Sequence, residues 1–501
     1  MQRTTETSGP GISPVAAEQS SALKPGVGVR VFQNTVAMLT GRAVGILCSA
    51  GASVLLARYL GPEKLGEYGA IYAYLFLYSF IATFCIEQIL AREVSLRRHQ
   101  AAELFRTATL TTLGFAVAGA IIAPAIAPLF GYTGLLRWLI VVAALDLLIL
   151  PPLRLSGIIF QVEMRLWYVT AIGFVRQILW FLAVVLLAFA NAAFYQVIIA
   201  RTLCGVAEYL ALLWTLRKTS LVQGTPRFLA TEARQMLKDS FPIVLSTVAV
   251  SIYQRIDQVM LHKMVGDLQL APYVVAVQMT ELFNALPVAL VSSLFPVLAQ
   301  SADDPPRFDH YLKTTFRLLL VVAFAACALL IPVADPVVRL LYGTKFSAAA
   351  PLLVVLIWSN VPIFFTVVMN AALVVRRLQN YLPFFAVGGA AANIALNLRL
   401  IPKYGALGAS WATVISYGIA GVLLFVVFGR TRRLVLVGMR VGAGPFLLVL
   451  FLSVALHWLA WPALAKFGVA ALVYFAGALA TRALQLSDLR RLWMMVRNTV
   501  P

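Results

Sequence analysis

The sequence predicts an all-α membrane protein that crosses the bilayer about fourteen times. Of its 501 residues, 61% are apolar and only 12% are charged, whereas a soluble domain carries roughly 25% charged residues. A helix that spans a bilayer needs about 20 apolar residues, and apolar runs of roughly this length recur along the chain. These observations exclude a soluble globular enzyme, a disordered chain and a disulfide-stabilised scaffold.

The predicted spans are separated by short connections. In chain order they cover 34–57, 68–90, 107–128, 138–160, 169–190, 194–216, 241–262, 271–298, 315–334, 350–374, 381–398, 406–428, 441–461 and 467–484. We expect residues 1–30 to form a disordered cytosolic tail, 217–240 an amphipathic cytosolic linker, and 485–501 a second cytosolic tail. None of these connections is long enough for a soluble catalytic domain.

The net charge of +20 is compatible with nucleic-acid binding, but the distribution of basic residues favours another explanation. Alternate loops contain 27 and 9 Lys and Arg residues, and four more arginines lie within spans. Cytoplasmic loops of membrane proteins are enriched in Lys and Arg. The asymmetry therefore predicts a membrane protein with both termini in the cytoplasm and no nucleic-acid partner.

A weak internal repeat appears at an offset of 205 residues. Gly61, Leu65 and Tyr68 align with Gly266, Leu270 and Tyr273, and the segment 129–131 (LFG) resembles 341–343 (LYG). Six spans per repeat is an even number, so both units have the same orientation across the membrane. We expect two pseudo-symmetric six-helix lobes, 31–216 and 241–430, with a cavity between them and two additional helices in 431–484.

Four arginines fall inside predicted spans, where a charge costs about 2.5–3.5 kcal/mol even on translocon-based scales. They are Arg42, Arg176, Arg201 and Arg255. A guanidinium stays ionised and binds phosphate oxygens in pairs, so we predict that some of these groups hold an anionic substrate in the cavity. The alternative is interhelical ion pairing, for example of Arg255 with Asp257 or Glu281.

Further polar residues within the spans are candidates for lining the cavity or for coupling transport to an ion. They are Glu87, Asp146, Glu208, Asp257, Glu281, Gln254, Gln258, Asn393 and Asn397. The two asparagines lie one helical turn apart, and hydrogen bonding between helices is the simpler role for them. The chain has no phosphate-binding loop, no hydrolase motif and no metal-ligand spacing. We therefore predict no enzyme activity, metal or cofactor.

Several segments resemble the polysaccharide-synthesis transporters, the lipid-linked oligosaccharide flippases of the multidrug/oligosaccharidyl-lipid/polysaccharide (MOP) exporter superfamily. The resemblance covers most of 31–430. It rests on 56–70 (LARYLGPEKLGEYGA), 255–257 (RID), 294–296 (LFP), 341–343 (LYG), 393–397 (NIALN) and 401–409 (IPKYGALGA).

The resemblance implies movement of an undecaprenyl-pyrophosphate-linked oligosaccharide to the periplasmic leaflet by alternating access, for O-antigen, capsule or exopolysaccharide synthesis. The implied partners are this lipid, other membrane lipids, and candidate polymerases and glycosyltransferases. Three alternatives stay open. A lipid II flippase is suggested by the two extra C-terminal spans. A drug exporter of the MATE branch is disfavoured by the intramembrane arginines, and a membrane-embedded transferase by the short loops.

Overall fold

The computed structural model describes residues 27–163, 165–219, 227–459 and 461–481, apart from the side chains of 27–43, 166 and 457. These residues form nineteen α-helices joined by short turns, and none of them lies in a strand. Of the predicted tails, residues 1–26 and 485–501 lie outside the described residues, whereas 27–30 are already helical. The helices are α1 (Val27–Phe76), α2 (Ser79–Thr83), α3 (Ile86–Leu96), α4 (Ala101–Ile126), α5 (Gly134–Ala143), α6 (Leu145–Val162), α7 (Leu166–Phe189), α8 (Phe194–Lys218), α9 (Ala230–Val265), α10 (Asp267–Glu281), α11 (Ala285–Gln300), α12 (Pro305–Leu330), α13 (Ala334–Tyr342), α14 (Ala349–Leu356), α15 (Asn360–Val375), α16 (Leu382–Gly418), α17 (Leu424–Val427), α18 (Gly429–Trp458) and α19 (Ala463–Ala480).

Twelve helical stretches of the described chain are long and apolar enough to cross a membrane. Two of them, Val44–Leu96 and Gln379–Val427, contain 53 and 49 residues. A straight helix of that length would measure about 75 Å, more than twice the about 30 Å of a bilayer's hydrocarbon core. Each stretch contains one glycine with non-helical backbone angles, Gly61 in α1 and Gly405 in α16.

Contacts across these glycines show that both stretches fold back on themselves. In α16, Asn393 Nδ2 donates to Ser416 Oγ at 3.0 Å, although 23 residues of straight helix would separate them by about 35 Å. In α1, Ser53 hydrogen-bonds Gln278 while Gly69 packs against Val274, one turn earlier on α10. Two of the twelve stretches are thus helical hairpins, and the fold accommodates the fourteen predicted spans.

The internal repeat extends to the backbone at its best-matched position. Gly61 has φ 70° and ψ 177°, and Gly266 has φ 84° and ψ 172°, a region that only glycine populates readily. The second match is weaker, because Gly343 adopts φ 88° and ψ 172° whereas Gly131 adopts φ 94° and ψ −1°. The two halves of the chain therefore turn in the same way after the first helix of each repeat.

One end of the bundle, which we call the glycine-turn end, carries the turns at Gly61, Gly131, Gly266 and Gly343. A single buried core joins both predicted lobes there, and its members include Tyr74, Tyr132, Tyr273 and Leu353. Burial of apolar surface is the main stabilising contribution to such a core. The two halves of the molecule are therefore packed together at this end.

At the opposite end, which we call the basic end, the described residues form two separate cores. One contains Ile86 and Phe160 from the first half of the chain, and the other contains Phe316, Phe365 and Phe425 from the second half. The cores of the two halves do not merge at this end, so a cleft can open between them.

The predicted linker 217–240 ends inside a continuous helix, because α9 runs from Ala230 to Val265. Its first turns are fixed to the first half of the chain: Arg97 binds both carboxylate oxygens of Glu232 at 2.8 Å, and Arg92 contacts Asp239 at 2.6 Å. Hydrogen bonding to Glu232 and Glu93 raises the pKa of Arg97 above its usual value. The first turns of α9 are thus ion-paired to the first half of the chain at the basic end.

Candidate functional site

Three adjoining cavities lie in the middle of the bundle. The largest, which we call the chamber, has a volume of about 940 Å³ and lies mainly in the second half of the chain. Two smaller ones of about 370 and 380 Å³, which we call the arginine cavities, both contain Arg201. Glu281 lines all three, and Arg255 lines the chamber and one arginine cavity. The three cavities therefore meet at Glu281, with Arg255 shared by the chamber and one arginine cavity and Arg201 shared by the two arginine cavities.

Arg201, on α8, is surrounded by aromatic rings. Its guanidinium carbon lies 4.0 Å from the ring centre of Tyr72 and 5.9 Å from that of Trp180, and Nη1 donates to the hydroxyl of Tyr68. Such cation–π contacts stabilise a cation without neutralising it. Among the described residues, no carboxylate lies within ion-pair distance of Arg201, so its positive charge faces the cavities.

Arg255, on α9, lies across the central space and is ion-paired. Its Nη2 is 3.0 Å and 3.2 Å from the two carboxylate oxygens of Glu281 on α10, and its guanidinium lies 5.4 Å from the ring centre of Phe76. The pairing that the sequence offered as the alternative role is therefore present here. The pair nevertheless lines open space, with 24% of the Arg255 side chain and 39% of the Glu281 side chain exposed.

The other two predicted arginines do not join this site in the described structure. Arg176, on α7, forms an ion pair with Glu208 at 2.9 Å and lines none of the three cavities. Arg42 is in helix α1, but its side chain lies outside the described residues. Ser49 and Ser53, seven and eleven residues after Arg42 on α1, do line an arginine cavity.

The predicted carboxylates separate into three locations. Asp146 lines an arginine cavity together with Arg201 and Arg255. Asp257 is 2% exposed at the chamber wall. Glu87, by contrast, pairs with Arg154 at 3.0 Å and lines, with Glu208, a separate 440 Å³ cavity within the first half of the chain.

The carboxylate of Asp257 is held by hydrogen bonds from three groups. The hydroxyl of Tyr273 donates to it, the hydroxyl of Thr413 donates at 3.1 Å, and the backbone N–H of Gln258 donates at 2.7 Å. These donors come from α9, α10 and α16, so Asp257 fastens three helices together. Buried polar groups with this many partners stabilise a specific packing.

The predicted amide side chains also differ in role. Gln254 is exposed to the chamber, and Gln258 is buried against an arginine cavity. Asn393 and Asn397 are fully buried and hydrogen-bonded to each other at 2.9 Å, and Asn393 also bonds Ser416. The asparagines therefore connect the two arms of the α16 hairpin and do not line the three cavities.

Sequence reasoning missed the residues that position Arg201. Tyr68 and Tyr72 lie one turn apart after the Gly61 turn, and Gln278 bridges to Ser53 from α10. A signal was present, since Tyr68 and Tyr72 share one helical face and both are polar-tipped residues in an apolar run. Arg201 lies 129 residues after Tyr72 in the chain, and only tertiary packing brings it next to that face.

No group of three or more His, Cys, Asp or Glu side chains that could hold a metal ion occurs within the part of the chain that the structure describes.

A bundle of apolar helices with a polar space in its middle, closed at one end by a core that both halves of the chain share, is the architecture of an alternating-access transporter. The chain belongs to the family of polysaccharide biosynthesis proteins, whose model matches residues 55–351, more than half of its length.

A curated relative is the probable low-salt glycan biosynthesis flippase Agl15 of Haloferax volcanii. It is 21% identical over 282 residues, and the match spans 56% of this chain and 59% of that relative. The chain is thus matched to less than two thirds of the relative's length.

Solved structures with the same fold belong to the MOP superfamily and related flippases. The lipid II flippase MurJ, in an inward closed conformation, superposes with a TM-score of 0.72 at 14% identity, covering 89% of this chain and 99% of that one. An inward-facing MATE transporter of the MOP superfamily gives 0.64 at 14% identity, covering 78% and 95%. These relatives are described as flippases and transporters, and the two solved structures share the fold of this chain.

Proposed function

We propose that this protein moves an undecaprenyl-pyrophosphate-linked oligosaccharide repeat unit from the cytoplasmic to the periplasmic leaflet by alternating access, for O-antigen, capsule or exopolysaccharide synthesis. The observation that carries the proposal is the position of Arg201, a cation with no carboxylate within ion-pair distance among the described residues, in the wall of both arginine cavities. A pyrophosphate is an anion that a guanidinium recognises through paired hydrogen bonds.

Arg255 supports the proposal in a second step. Its ion pair with Glu281 faces the cavity, so an entering pyrophosphate competes with the carboxylate for the same guanidinium. Binding then frees Glu281, which becomes the candidate group for coupling to an ion or to the membrane potential. Exchange of one anion for another at Arg255 avoids leaving an unpaired charge at membrane depth.

The packing of the lobes supports an inward-facing resting state. The shared core closes the glycine-turn end, and the positive-inside prediction assigns that end to the periplasm, with both termini in the cytoplasm of an inner-membrane protein. Substrate would then enter from the basic end, where the two cores are separate. Polysaccharide polymerases and glycosyltransferases are the proposed neighbours in such a system.

The test is translocation of a fluorescent lipid-linked oligosaccharide in proteoliposomes. We expect Arg201→Gln and Arg255→Gln each to lower the rate about tenfold, because hydrogen bonds to a charged group contribute about 1.5–3 kcal/mol. Arg339→Gln is the matched control, because Arg339 pairs with Asp335 on its own helix at 2.8 Å, away from the cavities. Wild-type rates in both cavity variants would remove the arginine mechanism.

A lipid II flippase is the second candidate, favoured by the likeness to MurJ across 89% of this chain, which includes residues beyond the family match. The same proteoliposomes loaded with lipid II distinguish the two. Faster translocation of lipid II than of an undecaprenyl-pyrophosphate-linked repeat unit would replace the first proposal with the second.

A further inference from the structure

The chamber is lined by neutral polar, aromatic and aliphatic side chains, and only three residues of its described lining are charged. Gln254, Asn370 and Thr366 contribute amide and hydroxyl groups, and the rings of Tyr253 and Tyr417 pack edge to face with centres 5.2 Å apart. The side chain of Asn284 also belongs to the chamber wall, and its oxygen is buried without a hydrogen-bond partner among the described residues. Amides, hydroxyls and ring faces are the groups that recognise sugars.

Charged side chains of the described lining are confined to one edge of the chamber. They are Arg255, Asp257 and Glu281, with a formal sum of −1, and Arg255 and Glu281 also line an arginine cavity. Arg255 is paired with Glu281, and Asp257 is held by its own hydrogen bonds. The described body of the chamber therefore offers no cation to compensate a carboxylate on a ligand.

We propose that the chamber holds the glycan of the transported lipid and selects repeat units without net negative charge, such as neutral hexoses and N-acetylated amino sugars. This inference rests on the proposed function. A uronic acid in the chamber would lose hydration without gaining a counter-charge, and it would face Asp257 and Glu281 at close range. The chamber thus selects against an acidic repeat unit, because the carboxylate of that substrate would remain unpaired there.

The experiment compares two substrates that share the lipid pyrophosphate and differ in one sugar, glucose against glucuronic acid. In proteoliposomes we expect the wild-type protein to translocate the neutral substrate at least tenfold faster. Gln254→Lys and, independently, Asn370→Lys should raise the rate for the glucuronic acid substrate and shrink this ratio. Gln235→Lys adds the same charge to α9 beyond the chamber and should leave the ratio unchanged.

Equal wild-type rates for the two substrates would overturn the chamber proposal while leaving the flippase proposal intact. The same holds if folded Gln254→Lys and Asn370→Lys both keep the wild-type ratio, with folding checked by thermal unfolding. Failure of the wild-type protein to move either substrate would instead overturn the proposed function.

A second, independent observation concerns the glycine-turn end. Arg58, three residues before Gly61, donates from Nε to the carbonyl of Leu341 at 2.7 Å and from Nη2 to the carbonyl of Leu340. Lys263, three residues before Gly266, donates from Nζ to the carbonyl of Leu129 at 2.9 Å. Each cation binds carbonyls near a helix C-terminus, which carry partial negative charge.

These contacts are related by the internal repeat. Arg58 and Lys263 are separated by the repeat offset of 205 residues, and their acceptors Leu341 and Leu129 each lie two residues before the next glycine turn, Gly343 or Gly131. Arg58 reaches from the first half of the chain to the second, and Lys263 reaches from the second to the first. The structure assigns these two reciprocal contacts as a latch that holds the glycine-turn end closed and must break for the opposite state to form.

The latch is tested by spin labels at Leu135 and Leu268, two exposed positions in different halves at this end, with the interlabel distance measured in liposomes. We expect Arg58→Gln with Lys263→Gln to increase the population at longer distance at least threefold, and each single change to produce part of that shift. Arg58→Lys with Lys263→Arg should restore the wild-type distribution. The latch is refuted if the double Gln variant matches wild type, or if the within-helix control Arg339→Gln shifts the distribution as much.

Discussion

Asp257 illustrates how a charge within the membrane can serve the fold. Its oxygens accept from Tyr273, from Thr413 and from the backbone of Gln258, and it is 2% exposed. Removing an acceptor leaves buried donors unpaired, at a cost of about 1–3 kcal/mol. The sequence could identify Asp257 as an intramembrane charge, but its partners, 16 and 156 residues away, depend on packing.

We therefore expect Asp257→Ala to lower the thermal unfolding midpoint of the purified protein, and Asp257→Asn to lower it much less, because the amide oxygen still accepts. Midpoints measured in one detergent check this order. Thr413→Val, which removes a single donor, is the matched control and should fall between wild type and Asp257→Ala. An Asp257→Asn protein that is as stable as wild type but inactive in transport would show that the charge itself is needed.

At the scale of elements, most spans could be predicted because lipid imposes length and hydrophobicity directly on sequence. The predicted span 194–216 lies within α8, and the predicted spans 107–128 and 169–190 extend only two residues and one residue beyond the ends of α4 and α7. Breaks were harder to place: the predicted eighth span is interrupted between Glu281 and Ala285. An irregular backbone is tolerated at membrane depth when it lines a cavity. The pattern of apolar residues does not show where a cavity lies, so it could not predict this break.

The hairpin glycines permit a prediction at this scale. A Cβ on Gly61 would meet no atom within 4 Å, so only its backbone angles resist substitution. Because that region is nearly exclusive to glycine, Gly61→Ala should destabilise the fold by about 1–3 kcal/mol. Gly114, within α4, also has open space around its Cβ position but a helical backbone.

Gly114→Ala is thus the control and should be neutral or stabilising, since alanine favours the helix by up to about 1 kcal/mol. Unfolding midpoints in a common detergent compare the two variants. Equal midpoints for Gly61→Ala and Gly114→Ala would mean that the α1 hairpin does not depend on the conformational freedom of glycine.

At the scale of the whole molecule, the cores distinguish the two ends of the transport path. The shared core seals the glycine-turn end, and the separated cores leave the chamber accessible from the basic end. The chamber wall runs along α9, α15 and α16 toward that end. The 27 to 9 excess of basic residues in alternate loops predicts which leaflet each end faces. Conformation and orientation can be tested together.

A cysteine at Gln254, which is exposed to the chamber, should react with a membrane-impermeant thiol reagent applied from the cytoplasmic side. A cysteine at Leu268, exposed at the glycine-turn end, should react from the periplasmic side. Both cysteines are placed in a protein whose Cys48, Cys85, Cys204 and Cys327 are replaced by alanine. They are labelled in inverted and right-side-out vesicles.

Labelling of Gln254→Cys from the periplasmic side alone, with Leu268→Cys reacting as expected, would mean that the resting protein faces outward. Reversal of both patterns would mean that the orientation is inverted.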